Sequence, residues 1–311
     1  ISSLPIMMEE SYLTSVYGNN KLGSIASTLK GKNYTTAFFH GGYNGTMGFD
    51  NFTRKVGYQY YYGKDEYNND KDYDGNWGIF DEPFLQYCIK QMDTLTKPFH
   101  AAFFTLSSHH PYTMPKEHKN KFSKGSLIVH ETVSYTDYAL KRFFNEASKC
   151  DWFENTLFII TSDHSGLTES KDFKTQLGLF KIPMIIYHPK MKMNILSSQY
   201  VQQIDVYPMV IDLLNIENQK IFSFGRSPFA QKEKYYIYYT NGEYLLMIGN
   251  YLSKYKQDGT IELFNVVEDQ GLKNNIANQH KEITQKHIEF TQAFIQQYNN
   301  TIIENKTTVS K

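Results

Sequence analysis

The sequence predicts a mixed α/β fold, with a mainly parallel central sheet flanked by helices, then C-terminal β-hairpins and a terminal helix. Three observations carry this. Short apolar, β-favouring runs at 34–39, 99–106 and 157–162 alternate with segments of helical periodicity. Each run empties into a polar tip that bears histidine: His40, His109-His110 and Asp163-His164. After residue 230 the texture changes to Tyr-rich runs around Asn241-Gly242 and Asp258-Gly259, both signals for hairpin turns.

The elements follow in order. Ser24–Lys30 has a short helical pattern stopped by Gly31. The strand 34–39 ends on His40-Gly41-Gly42. From Tyr43 to Glu82 the chain is rich in Gly, Asn, Asp and Tyr and reads as a long functional loop or lid. Pro83–Leu95 reads as an amphipathic helix, with proline where a first turn tolerates it. The strand 99–106 precedes a long helix over Val129–Cys150, whose apolar face includes Val133, Tyr138, Leu140, Phe143 and Phe144. The strands 157–162 and 182–187 come next, Pro183 sitting where a missing N–H does least damage. A helix over Gln203–Leu214 takes Asp205 as its N-cap. Two hairpins and a helix over His280–Tyr298 complete the chain. Residues 1–230 form the expected core, and 231–311 pack on the same domain.

Composition narrows the function. The 32 basic and 32 acidic side chains balance, which favours neither nucleic acid nor an anionic membrane surface as partner. No run of about 18 apolar residues occurs, so the chain as given does not span a membrane. Aromatics reach 16%, which suits core and loop packing and leaves room for a sugar or headgroup cleft. Cys88 and Cys150 have no metal-binding spacing; one disulfide and two free thiols both remain open.

The chemistry concentrates at the tips. Neighbours on a strand point to opposite faces, so Asp163 and His164 converge on one ion only once the strand has ended, and Gly166 helps the turn. A carboxylate and an imidazole without a thiol suit Mn²⁺, Zn²⁺ or Mg²⁺. A loop Asp beside a surface His is the alternative on these residues alone. In a parallel sheet the three histidine tips lie on one edge, which points to one shared polar site for an anion and a metal. No G-x-S-x-G, G-x-G-x-x-G or P-loop motif occurs, so serine-hydrolase, dinucleotide and P-loop chemistry lack support.

Thr105-Leu106-Ser107-Ser108-His109-His110-Pro111-Tyr112, then Thr161-Ser162-Asp163-His164-Ser165-Gly166, then Ile204-Asp205-Val206-Tyr207-Pro208 resemble the lipoteichoic acid synthase-like branch of the sulfatase family, within the alkaline phosphatase superfamily. His40-Gly41-Gly42 and Trp77-Gly78-Ile79-Phe80-Asp81-Glu82 fall where that family has similar motifs. The resemblance spans residues 1–230 and implies a phosphoglycerol or phosphoethanolamine transferase, or a related phosphodiesterase. Asp163 and His164 match the paired metal ligands, with Mn²⁺ the usual ion and Mg²⁺, Zn²⁺ or Ca²⁺ as alternatives. His109 and His40 match histidines that bind ester oxygens or protonate a leaving group, and Trp77 and Asp81 are counted with the substrate-binding residues. Met47 and Phe49 stand near positions where the synthases carry Trp and Arg against the headgroup, a departure that bears on substrate, because an Arg fork is a main means of holding phosphate.

The resemblance also implies that the first metal carboxylate and the Thr or Ser nucleophile precede a segment like Ser3-Leu4-Pro5. The expectation is a piece that lacks both and turns over little alone, cut from a membrane-anchored parent acting in the cell envelope, on the extracytoplasmic face of the cytoplasmic membrane. Its substrate is a lipid- or glycan-linked phospho- or sulfo-ester. Two rivals stand beside this: a sulfatase of glycans, and a non-enzymatic glycan- or headgroup-binding module.

Overall fold

The computed structural model describes residues 1–192, 200–216, 219–230 and 234–309. The chain divides into two units, one made of Leu29–Thr168 with Ile182–Asn194, the other of Ile1–Thr28, Glu169–Lys181 and Ile195–Lys311. Helix α1 (Ile25–Lys30) spans the first boundary.

In the first unit β1 (Thr35–His40) is the centre of a three-stranded parallel sheet, order β2-β1-β3. Helix α2 (Phe49–Lys55) leads to β2 (Tyr60–Tyr62), and the short α3 (Lys64–Tyr67) follows. These elements lie inside 43–82, so the lid expected there is in large part framework. Tyr60, Tyr61 and Tyr62 pair with Ala37, Phe38 and Phe39, and the Tyr61 and Tyr62 rings stack on Phe38 and Phe39, supplying the packing that the Gly- and Asn-rich flanks lack. Helix α4 (Asp81–Thr94) precedes β3 (Phe99–Phe104), which pairs with β1 from Thr35↔Phe99 to His40↔Phe104. Both strands therefore end level with each other. Helix α5 (Val129–Ala147) lies against α4.

The two helices bury one stripe each. Phe84, Leu85, Cys88, Ile89 and Met92 of α4 recur at helical spacing, as do Tyr135, Ala139, Phe143 and Ala147 of α5. All of these except Tyr135 join Ala37 and Phe39 of β1 in one core. Burying each large apolar side chain contributes about 1.5–3 kcal/mol. Cys88 is buried and Cys150 half-buried, both as free thiols.

One expectation needs correction. β4 (Phe158–Thr161) does not share the sheet of β1 and β3; it pairs antiparallel with β5 (Met184–Tyr187) in a separate two-stranded sheet. A parallel crossover needs a long connection, usually a helix. The chain between β4 and β5 forms only 3₁₀ turns, at Asp172–Lys174 and Gly178–Phe180.

The second unit holds α6 (Val206–Leu213), an antiparallel four-stranded meander of β6 (Tyr235–Thr240), β7 (Glu243–Ile248), β8 (Tyr251–Lys256) and β9 (Ile261–Asn265), and α7 (Lys281–Ile303). The first hairpin turns on Asn241 and Gly242, both at positive φ (50° and 77°), as a two-residue turn of this handedness requires. Met7 and Phe224 pack with Ile237, Leu246, Phe294 and Ile302 in one core, so the N-terminal stretch groups with the hairpins. Asp205 stands at the N-cap position of α6, but its side chain makes no capping hydrogen bond to that helix. Its Oδ2 accepts from Gln202 N–H at 2.8 Å and its Oδ1 from Arg226 N–H at 2.8 Å, tying two loops to the start of α6. Among the described residues no helix is long and apolar enough to cross a membrane.

Candidate active site

Three chain passages meet at the C-terminal end of the parallel sheet, where open α/β sheets place their ligands. β1 runs out through His40 into Gly41-Gly42, and β3 runs out into 105–112. The segment 74–81 lies against both. Ile79 N–H donates to the Gly41 carbonyl at 3.0 Å. Gly78 fits between the two tips because it has no side chain: a Cβ there would stand 2.5 Å from the Gly41 oxygen and 2.5 Å from Leu106 Cδ1. Asp74 Oδ1 accepts from the N–H groups of Asn76, Trp77 and Gly78, at 2.7, 2.8 and 3.1 Å, and so shapes the bend.

His40 is enclosed, with 2% of its surface exposed. Its ring packs on Phe49 and Phe104, centroids 4.5 and 5.7 Å away, and its Nδ1 lies 3.1 Å from the Tyr61 hydroxyl. Burial pulls its pKa down to about 4, so the ring is neutral at pH 7. Phe49 thus serves as a wall of the His40 box, whereas Met47 stands out in solvent at positive φ.

His109 is exposed. Its Nδ1 donates to the His110 carbonyl at 2.8 Å, which leaves Nε2 as the ring nitrogen outside that bond. The same carbonyl accepts from Trp77 Nε1 at 2.6 Å, and the indole meets the His109 ring edge-on at 4.3 Å. Trp77 and His109 therefore form one surface.

Asp81 is placed inside, 1% exposed. Its Oδ1 accepts from Leu106 and Ser107 N–H at 2.9 and 3.0 Å, and its Oδ2 from the Thr136 hydroxyl at 2.7 Å. Its own N–H donates to Ser107 Oγ at 2.9 Å. Burial pushes the carboxyl up, and these donors pull it back. A carboxylate so enclosed has no face for a substrate; it holds the β3 tip instead.

Asp163 and His164 stand at the tip of β4, with half or more of each side chain in solvent. His164 N–H donates to Asp163 Oδ1 at 2.8 Å, and His164 Nδ1 donates to the Ser165 carbonyl at 2.7 Å. In the neutral ring Nε2 is then the lone-pair nitrogen, and it faces Asp163 Oδ2 at 3.4 Å. Ligands about 2.1 Å from a tetrahedral cation lie about 3.4 Å apart, and metal-binding histidines commonly donate their other N–H to a carbonyl. The pair therefore fits a divalent cation as two of its ligands. Among the described residues no group of three His, Cys, Asp or Glu is placed to hold a metal.

Sequence reasoning missed Tyr61, Ser107 and Thr136, which hold the site residues. Ser107 stood inside a singled-out motif and Tyr61 inside the Tyr-rich stretch; nothing local marked Thr136.

A family model described as Sulfatase matches residues 3–216. Lipoteichoic acid synthase 1 of Bacillus subtilis is 27% identical over 246 residues, covering 73% of this chain and 38% of that protein. The chain thus spans well under half the length of that relative. A protein of the alkaline phosphatase superfamily from Vibrio parahaemolyticus superposes with a TM-score of 0.70 at 20% identity, over 99% of this chain and 75% of that one. The lipoteichoic acid synthase LtaP from Listeria monocytogenes gives 0.66 at 17% identity, over 93% and 78%. At these identities the superpositions speak for the fold.

Proposed function

The chain belongs to the sulfatase family, and from that premise we propose that it carries part of the catalytic site of a metal-dependent transferase or phosphodiesterase acting on a lipid- or glycan-linked phosphoester. The observation that carries this reading is the Asp163–His164 pair, whose Nε2 and Oδ2 face each other at ligand spacing while Ser165 fixes the ring. The likeness to lipoteichoic acid synthase 1 favours a phosphoglycerol-type headgroup over a sulfate ester, and a site of action in the cell envelope.

Asp163 and His164 would hold the cation, Mn²⁺ by the family likeness. When bound, such an ion stabilises negative charge that develops on ester oxygens. His109 presents Nε2 at the end of β3, where it can exchange a proton with a leaving oxygen, and Trp77 fixes its plane. His40 stays neutral inside its aromatic box and keeps charge out of that wall of the tip.

The test offers the full-length protein that contains this chain glycerophospholipid vesicles and a sulfated oligosaccharide, each with Mn²⁺. Release of the phosphorylated headgroup, lost in Asp163→Ala, is the expected result. Release of sulfate alone would replace this reading with a sulfatase. Headgroup binding without release would replace it with a binding module.

A further inference from the structure

The residue that sets the position of His109 lies outside its own strand tip. The turn 106–110 is held at two points, both from the segment 77–81. At its start, Asp81 accepts the N–H groups of Leu106 and Ser107 and donates its own N–H to Ser107 Oγ. At its end, Trp77 Nε1 donates to the His110 carbonyl, which also receives His109 Nδ1. Asp81 is the first residue of α4, so this grip is fixed to a helix whose buried face belongs to the unit's main core. A third donor, the Thr136 hydroxyl, comes from α5. Helices α4 and α5 thus both act on the tip through one carboxylate. Charge-assisted hydrogen bonds are stronger than neutral ones, and burial removes the water that would compete for them.

We infer that Asp81 is the positioning residue for His109, acting through the Leu106–Ser107 backbone, with Trp77 as the second grip on the same turn. Asp81 does not itself meet substrate. Its role for catalysis rests on the proposed part of His109, but the geometric claim does not, and it can be tested without turnover. Asparagine keeps the acceptor oxygen for Leu106 and Ser107, and the Thr136 hydroxyl can rotate to accept from the new amide. Alanine removes all three acceptor bonds.

The test uses the whole 1–311 chain and the ring-current shift that Trp77 imposes on the His109 Cε1–H resonance, assigned with His109→Gln. Asp81→Ala is expected to lose most of that shift, and Asp81→Asn to keep most of it. Ser107→Ala, which leaves the acceptor bonds of Asp81 intact, serves as a milder variant and is expected to reduce the shift in part. Circular dichroism and the emission of core-buried Trp152 report the fold independently. A full shift in a folded Asp81→Ala, or equal loss in Asp81→Asn and Asp81→Ala, would overturn the inference. If Asp81→Ala does not fold, the same two outcomes are read from Ser107→Ala and Asp81→Asn: an unchanged shift in the first or a lost shift in the second overturns it. Absence of enzymatic turnover would leave the shift readable, so failure of the functional reading is told apart from failure of this one.

Discussion

The imidazole of His40 occupies the space that a side chain on Gly42 would need. A Cβ there would lie 2.7 Å from His40 Cε1, 3.2 Å from Nε2 and 3.1 Å from the Trp77 carbonyl. His40 cannot retreat freely, because Phe49 and Phe104 close its other sides. Gly42→Ala is therefore expected to break the His40–Tyr61 hydrogen bond and to cost about 1–3 kcal/mol by overpacking. Urea unfolding gives the cost, and the His40 ring signals give the displacement. A variant with unchanged stability and unchanged His40 signals contradicts the packing described here.

His40, which is buried, and His100, which is half-buried, predict how stability depends on pH. His40 and His100 are both pulled down to about 4 by burial, from an ordinary value near 6.5. Their folded-state pKa values are depressed, so the unfolded chain binds more protons between about pH 6.5 and 4. Stability is then full above about 6.5 and falls as pH drops through that window, by up to about 1.4 kcal/mol per unit for each ring. Asp81, pushed up by burial, works in the opposite sense. Tyr58→Phe isolates His100, whose Nε2 meets the Tyr58 hydroxyl at 3.0 Å. Urea midpoints between pH 7.5 and 4 should fall steadily in the parent; flat midpoints would show that these rings do not charge on unfolding.

The metal assignment makes a separable forecast. Asp163 and His164 are largely exposed and belong to no core cluster, so replacing either by Ala should change stability by no more than about 0.5 kcal/mol. Mn²⁺ affinity should fall at least about tenfold in both variants. Titration by electron paramagnetic resonance, which counts free Mn²⁺, reads this directly. Equal affinity in parent and both variants would move the cation elsewhere.

Phe39 offers a control for the sheet itself. It is fully buried at the centre of β1, stacked on Tyr62 of β2 at 4.8 Å and Phe103 of β3 at 5.1 Å. Phe39→Ala should cost about 3–5 kcal/mol, measured by denaturant unfolding, because the cavity touches three strands at once.

What could be read from sequence was what is local. Asn241-Gly242 is a turn signal complete in two residues and stands where expected; Asp163 and His164 are neighbours at the tip of β4, but β4 lies outside the sheet whose edge they were expected to share. Asp81 shows the opposite case. Its motif was visible, but its partners Leu106, Ser107 and Thr136 lie 25, 26 and 55 residues away, so burial turned an expected ligand group into a brace. The strand β2 was hidden for a related reason. Three tyrosines among Gly, Asn and Asp look like loop, and only pairing with Ala37, Phe38 and Phe39 makes them a strand. The placing of β4 outside the parallel sheet depended on the direction of β5, which no pattern in Met184–Tyr187 discloses.

The grouping of the first residues with the last has a consequence for biosynthesis. Met7 shares its core with Ile302, Asn20 Nδ2 donates to the Ile302 carbonyl at 2.6 Å, and Gly23 N–H donates to the Thr307 carbonyl at 3.0 Å. A ribosome delivers Met7 long before Ile302. The unit holding β1 through β5 can assemble on the emerging chain, whereas the stretch around Met7 must wait, its apolar side chains uncovered, until α7 has been made. Loss of the last turn of α7 would prolong that exposure indefinitely, and chaperone dependence and proteolysis near residue 7 should rise together.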